Sequence, residues 1–285
     1  MKVPAAPLRP RVIAHRGASA DLPEHTPAAY QRAIEDGADG LECDVRLSAD
    51  GQLICLHDAR VDRTSSGRGS VSGLSAERLA ALDWGGWRLG PDASADPMPG
   101  CRDLLTLRAL FDLIREAGRP LEVAIETKHP NRFGGQVEQA LAGLLAEYGW
   151  DGPDARGAAH DAVSVRMMSF SAMAVRRMHR LTPQLPLVYL MERIPRMHGD
   201  GSLPAGCRVA GLDIALVRDR PEYVADLIRA GQELHVWTVD EPDDVQRCLD
   251  LGVAAIITNR PREVARWIMA DDRPGGLAGA GALEG

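Results

Sequence analysis

The 285-residue sequence has no uninterrupted apolar stretch near the ~20 residues that a membrane-spanning helix requires, so stable membrane insertion is not expected. Cysteine is sparse: Cys43, Cys55, Cys101, Cys207 and Cys248 are odd in number, widely scattered and without a CxxC pair. That argues against a disulfide framework or a zinc–thiolate site and points to a reducing, cytoplasmic setting. Met1 to Pro10 holds three prolines and no apolar core, so a secretory signal is not expected. Aromatics are only 4% of residues, so a core must rest on Ala, Leu, Val and Ile. An excess of positive charge is also missing: the net charge is -7 and the pI about 5.6. Non-specific nucleic-acid binding needs a basic footprint and is therefore not expected. An anionic small substrate remains compatible, because a metal or a few cationic side chains invert the local field.

What is present is ordinary for a soluble enzyme core, 45% apolar and 26% charged residues. Short apolar runs alternate with helical patterns, the signature of βαβ units and a parallel sheet. Strands are predicted at Arg11–Ala14, Gly40–Leu47, Leu121–Thr127, Val165–Phe170, Leu185–Met191, Val209–Ile214, Glu233–Val239 and Ala254–Thr258, with an extra hairpin strand at Gln52–Leu56 after the Asp50-Gly51 turn. Helices are predicted between them, the first capped by Thr26 with Pro27 at its first position. Eight strand–helix units need ~250 residues, which fits one complete (β/α)8 TIM barrel, an α/β fold, over residues 1–270. From Asp58 to about Arg102 the alternation breaks; a run of about 45 residues is too long for a structureless connection and reads as a functional insertion. Residues 271–285 are Gly/Ala-rich and are expected to be a disordered tail.

A barrel of this kind carries its active site at the C-terminal ends of its strands. The polar residues that interrupt the apolar runs fall there. His15-Arg16-Gly17 ends the first strand, Glu42 and Asp44 lie two apart in the second, His57 ends the extra strand beside Asp58, Glu126 and Lys128 end the next, and Trp237 lies near the end of the seventh. Residues two apart on a strand share a face. Carboxylates inside apolar strands are costly unless paired or metal-bound. Glu42, Asp44 and Glu126 on inward faces would repel one another, and a hard divalent cation, Mg²⁺ or Ca²⁺ with Mn²⁺ also possible, relieves that repulsion through oxygen ligands. Zinc is disfavoured by the absence of thiolates. Two histidines suit acid–base work near neutral pH, and Arg16 and Lys128 suit a phosphoryl group. This set fits phosphodiester cleavage better than acyl or glycosyl transfer, and nucleophilic-serine and P-loop signatures are missing. Simpler readings stand beside it: Glu42 and Asp44 paired with Arg16 or Lys128 and no metal, Lys128 as a structural partner of Glu126, and Trp237 as core. His129, His160, His179, His198 and His235 show no partner pattern and read as surface or core.

His15-Arg16-Gly17 with Pro23-Glu24-His25-Thr26, then Glu42-Cys43-Asp44-Val45, Asp50-Gly51 and His57-Asp58, resembles the paired signatures of the glycerophosphodiester phosphodiesterase family. Glu126-x-Lys128, Ser169-Phe170, Trp237-Thr238-Val239 and Ile256-Ile257-Thr258-Asn259-Arg260-Pro261 match later family elements, so the resemblance covers residues 11 to 265. It implies hydrolysis of glycerophosphodiesters such as glycerophosphocholine to glycerol 3-phosphate and an alcohol. In that light His15 and His57 are the general acid and base, and Glu42, Asp44 and Glu126 hold one divalent metal. Arg16 and Lys128 contact phosphate, and Trp237 walls the glycerol. The resemblance also implies attack by the substrate's own 2-hydroxyl through a cyclic phosphate, and an insertion that helps to cover the substrate. Two positions depart from it: His25 stands where the family has Asn, and Ser48 where it has Thr. A lysophospholipase D- or sphingomyelinase D-like enzyme is the nearest alternative, and a non-catalytic phosphate-ester-binding barrel a remote one. The charged, Gly-rich insertion favours a soluble substrate.

Overall fold

Most strand-forming runs in this chain are followed by a helix, several of them with a legible start. The computed structural model describes residues 9–151, 163–204 and 206–270, so the tail expectation and His160 lie outside the described residues. The strands are β1 (Arg11–His15), β2 (Gly40–Leu47), β3 (Leu53–Cys55), β4 (Leu121–Thr127), β5 (Val163–Ser169), β6 (Leu187–Met191), β7 (Val209–Asp213), β8 (Glu233–Trp237) and β9 (Ala255–Thr258). The helices are α1 (Pro27–Glu35), α2 (Ala76–Ala80), α3 (Gly86–Leu89), α4 (Leu107–Glu116), α5 (Gln136–Tyr148), α6 (Ala172–Leu181), α7 (Ile214–Asp219), α8 (Pro221–Arg229), α9 (Pro242–Asp250) and α10 (Pro261–Ala270). Caps explain several starts: Thr26, Thr106 and Ser171 each accept from the backbone N–H three residues on. In α4 the buried residues Leu107, Leu110, Phe111 and Ile114 fall on one stripe, the spacing that lays a helix on a sheet.

The sheet runs β1-β9-β8-β7-β6-β5-β4-β2-β3, and pairing of β1 with β2 closes eight parallel strands into a barrel. Strand β3 adds antiparallel to the outer edge of β2 in the register Val45↔Cys55. The fold is the expected (β/α)8 barrel. Several strand boundaries differ from the sequence expectation by one or two residues. The extra strand stops at Cys55, so His57 stands beyond it in an irregular segment rather than at its end; Leu56 N–H still reaches Asp44 O at 2.9 Å, after which the chain leaves the sheet. Strand β7 stops at Asp213, whose side chain accepts from Ala215 N at 2.7 Å and opens α7, so Ile214 is helical. Strand β8 stops at Trp237, two residues earlier than expected.

Between barrel and helices lies the main core, with Leu41, Val45, Phe111, Val123, Ile125 and Val224 among its buried members. Inside the barrel a second cluster, including Ile13, Ala124, Met168, Val188 and Ile257, fills the middle. The segment from Asp58 to Arg102 carries its own small core of Val61, Val71, Leu79 and Trp84 against Ile54 and Leu56. Trp84 donates Nε1–H to Leu79 O at 2.9 Å, so it packs this segment, while Trp87 is exposed.

Below the apolar middle, the barrel floor is a ring of alternating charge. Arg11 pairs with Glu122 and, at 3.0 Å, with Glu233; Arg166 pairs with Glu122 at 2.9 Å and Glu233 at 3.0 Å. His235, fully buried, lies with Nε2 3.0 Å from Glu233 Oε1. It is not the partnerless core histidine that the sequence suggested. Burial pushes its imidazole down to about 4, against the raising effect of that hydrogen bond. The unfolded chain therefore binds a proton near pH 6.5 that the folded chain refuses until about pH 4. The stability contributed by the neutral ring is complete above pH 6.5 and declines as the pH falls, by at most about 3 kcal/mol. The fall in melting temperature from pH 7 to pH 5 is expected to be smaller in His235→Asn than in the parent; an unchanged slope would assign the acid sensitivity to other groups.

Candidate active site

At the opposite end of the barrel the sequence-predicted residues meet. Strand pairing places His15 opposite Glu42 and Asp44 opposite Glu126, so four chemical side chains from three neighbouring strands face inward together. His15, Arg16, Glu42, His57, Glu126, Lys128 and Trp237 line one cavity of about 200 Å³, with Asp44 buried at its floor. Met168, Phe170, Leu190 and Ile257 supply apolar wall, and Phe170 stands edge-on to Trp237 with ring centroids 5.4 Å apart. Trp237 therefore lines the site.

The turn after β1 is shaped by its glycine. A Cβ at Gly17, whose φ is 84°, would lie 2.6 Å from the Ala29 backbone, so only glycine lets this loop rest on α1. Arg16 and His25 also adopt left-handed backbone, with φ of 57° and 60°, a conformation non-glycine residues avoid unless their surroundings hold it. The benefit is visible: Arg16 N–H donates to Glu42 Oε2 at 3.1 Å, and its guanidinium lies 3.0 Å from both Glu24 and Asp44. His25 reaches Asp44 Oδ2 at 2.9 Å through Nε2 and the Tyr30 hydroxyl at 2.9 Å through Nδ1, while Tyr30 donates to the Glu42 carbonyl. The departure at position 25 thus braces the floor of the site.

Glu42, Asp44 and Glu126 each offer an oxygen within 4.8 Å of the others, all buried. Burial, reinforced by the charge of Asp44, pushes Glu42 well above the usual carboxylate range and Glu126 up to about 8. Burial works against Asp44 too, yet Lys128, His25 and Arg16 together hold it well below its ordinary value. Lys128 lies 2.9 Å from Asp44 Oδ1 and 2.8 Å from Glu126 Oε1, while Asp44 Oδ1 has no aligned hydrogen-bond donor. Two cations thus face three carboxylates, and an all-oxygen donor set carrying unrelieved negative charge fits a hard divalent cation.

The two histidines are held differently. His15 Nδ1 lies 2.8 Å from Asn259 Oδ1, and Asn259 is fixed in turn by Asp240, which accepts from its backbone N–H at 2.8 Å and its amide at 2.5 Å. That leaves Nε2 facing the cavity, 4.0 Å from Glu42. Burial, aided by Arg16, lowers His15 to about 4, so its ring is neutral at physiological pH. His57 is partly exposed, with Nδ1 2.7 Å from Asp58 Oδ1. Asp58 is gripped by Arg63, whose guanidinium also takes both oxygens of Glu24 at 2.8 Å, and Glu24 returns to Arg16. A chain of ion pairs therefore ties His57 and the segment after it to the β1 turn. Burial lowers His57, while Asp44 and the Asp58 hydrogen bond oppose the shift. Arg63→Met is expected to lower kcat about tenfold with little change in KM, since it frees the His57 ring from a fixed orientation in the cavity; an unchanged kcat would show that the Arg63 clamp does not position His57.

Sequence reasoning gave no site role to Asp240 and Arg63, and quoted Asn259 within a family element without its part in holding His15. Asn259 and Asp240 follow β9 and β8, so their position at strand ends was a usable signal. Arg63 had none, since nothing in the spacing of residues 58 to 102 says which arginine turns back to the barrel. His129, read as partnerless, lies 2.6 Å from buried Glu138, which also pairs with Arg177.

A sequence model described as the glycerophosphoryl diester phosphodiesterase family matches residues 15–263. A Mycobacterium tuberculosis protein named "Probable glycerophosphodiester phosphodiesterase 1" is 42% identical over 262 residues, 91% of this chain and 92% of that protein. A glycerophosphodiester phosphodiesterase of Caldanaerobacter subterraneus subsp. tengcongensis is 31% identical, over 90% of this chain and 97% of its own. Among solved structures, an Oleispira antarctica phosphodiesterase in complex with the product sn-glycerol-3-phosphate superposes with a TM-score of 0.75 at 23% identity, covering 92% of this chain and 97% of that one. A glycerophosphodiester phosphodiesterase from Agrobacterium tumefaciens gives 0.69 at 25% identity, over 90% and 99% of the two chains.

Proposed function

The chain belongs to the glycerophosphoryl diester phosphodiesterase family and is a glycerophosphodiester phosphodiesterase, and we propose that it uses His15 as general base, His57 as general acid and one divalent metal held by Glu42, Asp44 and Glu126. The observation that carries this reading is the pair of histidines, each with Nδ1 held by an oxygen and Nε2 without a hydrogen-bond partner among the described residues, lining one cavity with the carboxylate cluster. The metal, Mg²⁺, Ca²⁺ or Mn²⁺, would offset charge developing on the phosphoryl oxygens.

His15, neutral and buried, takes the proton from the substrate's 2-hydroxyl. That oxygen bonds to phosphorus as the bond to the leaving alcohol breaks, and His57 delivers its proton to the departing oxygen. The cyclic phosphate is then opened with the roles reversed: His57 takes a proton from water, the water oxygen bonds to phosphorus, and His15 returns its proton to the 2-oxygen. Arg16 and Lys128 hold the phosphate, and Trp237 walls the glycerol. Glycerol 3-phosphate is the product, the molecule held by the Oleispira relative. Residues 58–102 belong to the same catalytic unit on this reading, because Arg63 steadies His57. No described helix is long and apolar enough to cross a membrane.

The test is release of glycerol 3-phosphate from glycerophosphocholine and glycerophosphoinositol, after chelation and then with Mg²⁺, Ca²⁺ or Mn²⁺ restored. Release that is lost on chelation and recovered with metal is expected. Full activity after exhaustive chelation would remove the metal, and turnover of lysophosphatidylcholine alone would redirect the assignment to lysolipids.

A further inference from the structure

The catalytic cavity opens into a second, wider one of about 720 Å³. His57, Glu126, Lys128, Phe170, Leu190 and Glu192 line both, so the two are continuous. His15 lines only the inner cavity. The base therefore faces one side of the reacting phosphorus, and the acid stands at the passage into the groove. Since the acid must reach the leaving oxygen, the leaving alcohol extends into the groove.

That groove is cationic. Arg46, Arg193 and Arg196 line it, and outside the metal cluster Glu192 is its one carboxylate. Arg46 is partly buried, with Nε donating to the His57 carbonyl at 2.8 Å, and its two terminal nitrogens have no acceptor among the described residues. Arg193 and Arg196 are exposed and form no ion pair among the described residues. Asp44, Glu126 and Asp58 act on Arg46 only through space, and a partly desolvated guanidinium with no contacting carboxylate is costly, whereas other arginines near this site, Arg16 and Arg63, are paired. An anion entering the groove would complete Arg46 and be drawn by the other two.

We propose that this groove is a leaving-group subsite that selects glycerophosphodiesters whose alcohol carries its own negative charge, a phosphate or a carboxylate. The proposal rests on the phosphodiesterase reading and names its substrate class. A cationic alcohol such as choline would meet three like charges there and is the poorer leaving group for binding.

Two substrates isolate the charge: glycerophosphoinositol and glycerophosphoinositol 4-phosphate, which differ by one phosphate on the alcohol. At low salt the second is expected to have about tenfold higher kcat/KM, and the advantage should shrink as ionic strength rises. In the double variant Arg193→Gln/Arg196→Gln the ratio is expected to fall toward one through loss on the anionic substrate, with hydrolysis of glycerophosphoinositol retained. Arg46→Gln should lower the same ratio. Equal kcat/KM for the two substrates in the parent, or a ratio the variants leave unmoved, would overturn the subsite while leaving the phosphodiesterase assignment intact. Failure to cleave either substrate, or glycerophosphocholine, with any metal would instead overturn the assignment on which it rests.

Discussion

Replacing His57 with alanine is expected to lower kcat on glycerophosphoinositol by about 10²–10⁴, the usual worth of a general acid, yet to leave most of the first-step p-nitrophenol release from a glycerophosphodiester with that leaving group, while opening of the cyclic phosphate, where His57 serves as base, stays slow. That phenolate departs without protonation, so a variant lacking only the acid is rescued by it. His15→Ala should lose activity by a similar factor on both substrates, because no leaving group replaces the base that deprotonates the 2-hydroxyl. The contrast assigns the two roles in a way that loss of activity alone does not. The folding cost should also differ. His57 is partly exposed, while His15 is buried and bonded to Asn259, so melting temperature should fall more in His15→Ala. Equal rescue of both variants, or of neither, would reverse or dissolve the assignment.

The second large effect concerns the carboxylates. Asp44→Asn and Glu126→Gln are each expected to abolish metal-dependent turnover, by about 10³-fold or more, since each exchanges a carboxylate of the proposed metal site for a neutral amide. Their stabilities should diverge. Asp44 is the ionised centre of the cluster, paired with Lys128, Arg16 and His25. Removing its charge leaves buried cations uncompensated, at a cost of about 3–5 kcal/mol. Glu126, raised to about 8 by burial and by Asp44, contributes little attraction to the metal-free fold, so Glu126→Gln should melt near the parent. Calorimetric titration with Mn²⁺ and melting with and without the metal read both effects. Metal stabilisation retained in Glu126→Gln would remove that residue from the ligand set, and equal melting of the two metal-free variants would refute the charge assignment.

How much of this was readable in advance depends on the range of the interaction. The period-two placement of Glu42 with Asp44 puts both on one strand face whatever the fold, and that face is inward. Thr26-Pro27 announced α1, and the β1 turn was legible as His15-Arg16-Gly17 because its glycine meets a local steric need. Strand ends were legible only to within a residue or two, and at β7 a short polar side chain, Asp213, chose between ladder and helix. Which side chains Arg63 and Asn259 would meet was not legible, although the strand-end position of Asn259 marked it as near the site. Arg63 meets Glu24 across 39 residues and Asn259 meets His15 across 244, and no spacing rule reaches that far. Nor did composition forecast a cationic groove in an acidic chain, because net charge does not say where charges gather.

The sequence by itself determined the alternation that makes a barrel, the inward carboxylates and the histidines beside the strand ends, since each follows from backbone periodicity and local sterics. The tertiary structure alone decided which oxygen fixes each histidine, which cations answer the carboxylates and which arginines are left facing a ligand. Those pairings hold only after barrel closure brings strands distant in sequence side by side, in surroundings dry enough for a single charge to matter.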